Sequence, residues 1–281
     1  MTPRRGYALV VAAATSWGLW SLFLRPVERL GPISSEAQSF IVMSVIAVSL
    51  LPFAVRDTLR RPVSRAGLVV LLVLGLTDAG NLLLFFRAMR TTTLPIAVLT
   101  HCTAPMLVAL TAPLVTDEKF RLRTLGYVAA ALAGLVLLLW PFGGAVGLGA
   151  VFGGASAVFY AANVLIQKRA SSGMTAMQLM SFHAFVSAAV IFAFVPSGGL
   201  ALASGQWSLM LTGSSLLGAG SGVAFVAALS AIPATHAAIL ALLEPLVAVL
   251  VGVFVWREPL GPHGMAGAAI LLAALVATIR G

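Results

Sequence analysis

The sequence predicts an all-α membrane protein of ten transmembrane helices, arranged as a 5+5 inverted repeat. Three observations lead there. The 281 residues are 60% hydrophobic and only 9% charged, with a mean hydropathy of +1.05, far outside the soluble globular range. The apolar residues gather into ten stretches, each close to the ~20 residues a helix needs to cross a bilayer core. The chain also matches itself when shifted by 140 residues, so that each half holds an odd number of stretches.

In order, the stretches are residues 7–24, 36–55, 66–87, 92–115, 123–141, 146–169, 175–195, 208–230, 235–256 and 262–280. The first follows Arg4 and Arg5, as a signal peptide would, but no cleavage site is convincing and nine stretches follow, so it reads as a retained helix. The connections are short and leave no room for a soluble domain; "WPFGGAVGLG" (140–149) links the fifth to the sixth. Charge sits between stretches. Arg4 and Arg5, then Arg56, Arg60, Arg61 and Arg65, then Lys119, Arg121 and Arg123, then Lys168, Arg169 and Arg280 place twelve of seventeen basic residues on one side. The positive-inside rule makes that side cytoplasmic, with both termini on it. The net charge of +9 is therefore a topology signal and an attraction to the lipid bilayer, with no nucleic-acid partner.

The shift by 140 lays "TAPMLVALTAPLVTDE" (103–118) over "LEPLVAVLVGVFVWRE" (243–258) without a gap. Pro105 falls on Pro245 and Glu118 on Glu258; Gly80 meets Gly220, Phe85 meets Phe225, Gln38 meets Gln178, and Trp20 meets Tyr160. Residues 1–143 and 144–281 are thus two five-helix repeats of one domain. Five crossings each force the repeats to run in opposite senses, about a pseudo-two-fold axis in the membrane plane, with a binding site expected near the midplane.

"WGLW" (17–20), "APMLVALTAPLVTDE" (104–118) and "EPLVAVLVGVFVWRE" (244–258) resemble the drug/metabolite transporter superfamily, specifically its EamA-type exporters, over essentially the whole chain. Within it, general likeness and size are most similar to the aromatic amino-acid exporters. The resemblance implies a central cavity lined by the third, fourth, eighth and ninth helices. One departure is that Ala104 stands where the second repeat has Glu244.

Polar positions that broke the repeat symmetry are the candidates for handling an asymmetric ligand. Asp78, Asn81 and Phe85 share a face of the third helix, His101 and Pro105 one of the fourth; Asn163 lies on the sixth, and His236 and Glu244 on the ninth. A charge at bilayer depth costs at least ~2.5–3.5 kcal/mol, so such groups turn to the interior or to water. Trp17, Trp20, Phe85 and Tyr160 offer flat apolar walls, with an interface belt as the other reading of Trp17, Trp20 and Tyr160. Asp78 is placed to meet an ammonium group, and His101, Asn81 and Asn163 to hydrogen-bond a carboxylate; the two asparagines serve equally as interhelical partners. His236 completes the substrate-binding set. Pro105, Glu244 and Pro245 are assigned to gating or packing: each proline frees a carbonyl one turn back, and Glu244 either bonds a neighbouring helix or carries a proton. Glu118 and Glu258 read as helix-end anchors, and His183 as peripheral packing.

Enzymatic readings fail. HExxH and a nucleophile motif are absent, the four histidines are scattered without metal spacing, and "GAGSG" (218–222) has no strand before it. No P-loop binds ATP, and no cofactor or metal is called for. The expected function is a secondary transporter in the bacterial inner (plasma) membrane. It exports neutral amino acids, aromatic or otherwise hydrophobic, and related metabolites by alternating access, with proton coupling open. Export of cationic drugs or other small metabolites is the alternative.

Overall fold

A computed structural model describes residues 1–143 and 147–280. Residues 144–146, within the expected link and at the start of the second repeat, lie outside the described residues.

Among the described residues ten helical units follow one another: α1 (Pro3–Leu30), α2 (Ser35–Arg60), α3 (Arg65–Thr91), α4 (Leu94–Val115), α5 (Leu122–Leu138), α6 (Gly147–Ala170), α7 (Ala176–Phe192), α8 (Ser204–Leu229), α9 (Ala234–Phe254) and α10 (Pro262–Arg280). Several starts are written locally. The Ser34 and Ser64 hydroxyls accept from Ala37 N and Gly67 N, capping α2 and α3. Thr175 and Gln178 close a reciprocal capping box on α7.

Eight of the ten are long and apolar enough to cross a membrane; α5 and α7, of 17 residues each, are shorter. At ~1.5 Å per residue they span about 26 Å, just under a ~30 Å hydrocarbon core. Sequence hydropathy places their ends at 141 and 195, but the helices stop at Leu138 and Phe192, ahead of Pro141 and Pro196. Hydropathy continues past these ends while the backbone does not, because the residue before a proline is pushed out of the helical region.

The surface is apolar where a soluble protein's would be charged. Val48, Leu68, Val69, Leu114, Phe192 and Leu216 are all exposed, which suits a lipid solvent in which every backbone group must be bonded within helices. Inside, the helices pair as α2 with α7, α5 with α10, and α4 with α9, while the α3–α6 contact is echoed by α8–α1. Exchanging each helix for the one five places along leaves this pattern of neighbours unchanged. The α5–α10 pair depends on two glycines: a Cβ on Gly134 would lie 2.6 Å from Leu271 N, and one on Gly267 2.3 Å from Leu138 N. The pair runs antiparallel, and Arg123 and Arg280 line one groove, so the C-terminus returns to the end where α5 begins.

Candidate functional site

Four helices are interrupted, and three of the interruptions meet at the candidate site. α4 is two pieces, Leu94–His101 and Ala104–Val115; α9 is two pieces, Ala234–Ala241 and Leu243–Phe254. Pro105 and Pro245 lack the N–H that would bond the carbonyls of His101 and Ala241, and the first pieces end at those residues. The two breaks coincide under the 140-residue shift. α1 breaks at Leu19–Trp20, between Pro3–Gly18 and Ser21–Leu30. α8 carries a π-helical turn, Ser214–Ala219, that local sequence did not signal. At Gly18, α1 presses against the α9 break: an added Cβ would stand 2.6 Å from Glu244 O and 2.5 Å from Val247 Cβ.

Glu244 lies in the first turn of the second α9 piece, where a helix N-terminus favours negative charge. Its side chain is exposed and, among the described residues, forms no hydrogen bond or ion pair. A carboxylate facing lipid would carry the full insertion cost. Glu244 instead faces inward, close enough to Tyr160 of α6 and Cys102 of α4 for its charge to act on both.

Beside it stands an aromatic wall. The His101 ring is 4.5 Å from Phe85 and 5.4 Å, edge-on, from Tyr160. His101 Nδ1 is 2.9 Å from Ser156 Oγ, whose own hydrogen is directed 2.7 Å to Gly153 O. This assigns the imidazole hydrogen to Nδ1 and leaves the Nε2 lone pair facing the site. Trp17 packs at 5.3 Å on Phe225.

One turn along α6 a polar cluster joins three helices. Asn163 Nδ2 donates to Asp78 Oδ1 (3.2 Å) and Ser187 Oγ to Asp78 Oδ2 (3.1 Å). Thr77 Oγ1 donates to Asn163 Oδ1. His183, 2% exposed, brings Nε2 to 3.7 Å from Asp78 Oδ2. The charge of Asp78, like that of Glu244, reaches Tyr160.

The two ends of the bundle differ. At the end carrying both termini, Glu118, just past α4, accepts from Ala234 N (2.5 Å), Thr235 N (3.3 Å) and Thr235 Oγ1 (2.9 Å), capping α9 from another helix. Lys168 Nζ donates to the carbonyls of Leu229 and Ile232, Arg169 to that of Val115, and Tyr7 OH meets His236 Nδ1 at 2.7 Å. At the far end Glu258, the counterpart of Glu118, does not reach α4. It pairs with Arg25, while Arg25 and Arg29 lie over the Trp256 ring at 5.0 and 5.3 Å. Leu94, the counterpart of Ala234, stays 58% exposed, and Pro95 stands where the other repeat has Thr235.

The residues singled out from the sequence therefore divide. Phe85, His101, Tyr160 and Glu244 come together beside the breaks at Pro105 and Pro245, with Trp17 on the adjoining turn of α1. Asp78 and Asn163 bond each other. Asn81 is buried with Oδ1 unpaired. Trp20 packs instead with Val27, Ile41 and Met210, and His236 is at the clasped end. His183 is not peripheral: it is buried and faces Asp78. Sequence reasoning also passed over Gly18, Ser156 and Ser187. Each occurs in a small-residue context common to any packed membrane helix, and only the partner across the interface distinguishes it.

Two stretches, residues 4–140 and 147–280, match the model of the EamA-like transporter family. An uncharacterized transporter of Archaeoglobus fulgidus is 26% identical over 277 residues, 99% of this chain and 97% of that protein. A solved crystal structure is similar in fold, with a TM-score of 0.79 at 17% identity and 96% of each chain covered.

Proposed function

Because the chain belongs to the EamA-like transporter family, and so is a multi-pass membrane transporter and not an enzyme, we propose that it exports neutral amino acids with aromatic or other hydrophobic side chains. The observation that carries the reading is the unpaired, accessible carboxylate of Glu244 beside the Phe85–His101–Tyr160 wall. Glu244 takes the ammonium group, assisted by the His101 Nε2 lone pair. The rings take the side chain. Asn81 takes the carboxylate through its Nδ2 hydrogens. Asp78, already bonded by Asn163 and Ser187, is the less available acid.

The mechanism is alternating access between two five-helix repeats, 1–143 and 144–281, each crossing the membrane five times, with α5 and α7 as the shortest spans. Two matched ranges, coincident breaks and the exchangeable helix contacts support this reading. With the basic, termini-bearing end in the cytoplasm of a bacterial inner membrane, the Glu118 clasp closes the cytoplasmic side. At the far end Glu258 pairs with Arg25 and leaves α4 unclasped, as an outward-facing state requires.

The same carboxylate against an aromatic wall also suits a lipophilic cation, which is the second reading. Purified protein in liposomes preloaded with phenylalanine, tryptophan, methionine or threonine should accumulate the labelled amino acid by exchange. Glu244→Gln should lower that exchange at least tenfold, while Arg29→Ala should not. Exchange of cationic dyes alone would replace the amino-acid reading with the drug reading.

A further inference from the structure

The Asp78 cluster is not used by that cargo reading, and its hydrogen atoms can be counted. His183 Nδ1 lies 2.6 Å from the carbonyl of Leu179, one turn back in α7. A carbonyl only accepts, so Nδ1 must carry a hydrogen. Nε2 then faces Asp78 Oδ2 at 3.7 Å. Without a further proton, the Nε2 lone pair of a buried ring would oppose a carboxylate whose side chain is only 15% exposed. Asp78 accepts from Asn163 and Ser187, which orients the carboxylate without cancelling its charge. No arginine or lysine pairs with it among the described residues. Gly75, one turn before Asp78, lets α3 approach α7 so closely that a Cβ there would be 2.8 Å from His183 O, which holds the two side chains in register.

The repeat offers a control. Under the 140-residue shift, Thr77, Asp78, Asn163, His183 and Ser187 correspond to Leu217, Gly218, Phe23, Met43 and Ala47. The whole cluster exists once and its mirror image is apolar, so helix packing of this shape does not require it. It is also placed to communicate: Asn163 is one turn from Tyr160 on α6, and Tyr160 stands edge-on to His101. We propose that Asp78 and His183 form a binding site for one proton, carried on His183 Nε2 with Asp78 as its counter-charge, and that this proton is exchanged against cargo during transport. The second clause rests on the transporter reading above; the first does not.

The other ionisable groups facing the pair are few. α7 has none besides His183, and α8 has none at all. α2 has none between Glu36 and Arg56. α6 presents Tyr160, and α4 presents His101 and Cys102. Glu244 acts on Tyr160 from α9.

Nuclear magnetic resonance of [15N]histidine-labelled protein in detergent, without cargo, reads the site directly, with His183→Gln assigning the signal. As the pH is raised, the wild-type His183 should pass from doubly protonated to the Nδ1–H form in one step. In Asp78→Asn it should stay in the Nδ1–H form throughout. A wild-type His183 that never gains the second proton, or that titrates alike in Asp78→Asn, overturns the proposal. In liposomes, an interior one pH unit more acid should raise amino-acid accumulation about tenfold for one proton per cargo molecule. His183→Gln should remove that increment; an increment that survives the substitution refutes the coupling. If no amino acid moves at all, the cargo reading fails, and the histidine titration still decides the proton site.

Discussion

Replacing Glu118 by glutamine tests whether the clasp at the termini-bearing end is held by charge. The carboxylate accepts three hydrogen bonds across the repeat interface, two of them from backbone N–H groups of the first turn of α9. Those groups have no partner within their own helix. Glutamine keeps one acceptor oxygen but turns an NH2 donor toward Thr235. A hydrogen bond to a charged group contributes ~1.5–3 kcal/mol. Losing two, with a discount for partial exposure, should cost about 2 kcal/mol, or roughly 30-fold in the closed-to-open ratio at that end. Hydrogen exchange read by mass spectrometry on a peptide covering residues 232–240 measures this. The amides of Ala234 and Thr235 should exchange about 30-fold faster in Glu118→Gln, while Glu258→Gln leaves them unchanged. Equal protection in wild type and Glu118→Gln would show that packing closes this end without the carboxylate, and the argument from charge would fall.

Other tests address separate links. Gly18→Ala puts a methyl 2.6 Å from the immovable carbonyl of Glu244; overpacking of this kind costs about 1–3 kcal/mol. Thermal unfolding of the purified variant should therefore come several degrees lower, and an unchanged midpoint would mean that α1 does not touch the α9 break. Single cysteines in a Cys102→Ala background, at Arg60 and at Gly143, should label from opposite membrane faces; labelling from one face would overturn the ten-span topology. Phe85→Ala removes one ring of the wall, and it should weaken exchange of phenylalanine about tenfold more than exchange of threonine. Equal losses would mean the ring only packs.

How much of this was legible in sequence depends on range. Helix positions followed from hydropathy, because in lipid the apolar run and the helix are nearly the same object. The boundaries were less legible: α1 and α2 run on past the apolar stretches to Leu30 and Arg60, while α5 and α7 stop where proline ends the backbone before hydropathy falls. Pro105 and Pro245 announced the two breaks, since a missing N–H acts on its own helix. The partners of side chains were another matter. His183 stood alone in an apolar run and read as packing; only the α3–α7 contact shows that it faces Asp78. Glu118 and Glu258, matched in sequence, looked equivalent as anchors, yet one bonds across the repeats and the other pairs with Arg25. A chain that matches itself encodes both arrangements in each half and cannot show which half holds which.

Pro95 follows a different logic from its neighbours. Were Glu258 to swing onto α4 as Glu118 reaches α9, it would meet Leu94 N but, at Pro95, neither an amide hydrogen nor a hydroxyl. Thr235 supplies both at the opposite end. The far clasp thus has one bond available against three, a difference that favours closure at the termini-bearing end. If the chain works by alternating access, the empty protein should rest with its termini-bearing mouth shut, and transport would begin with a climb out of that pose. Pro95→Thr would supply the amide hydrogen and hydroxyl that Thr235 offers at the opposite end, so a single residue bears on which end the protein keeps shut.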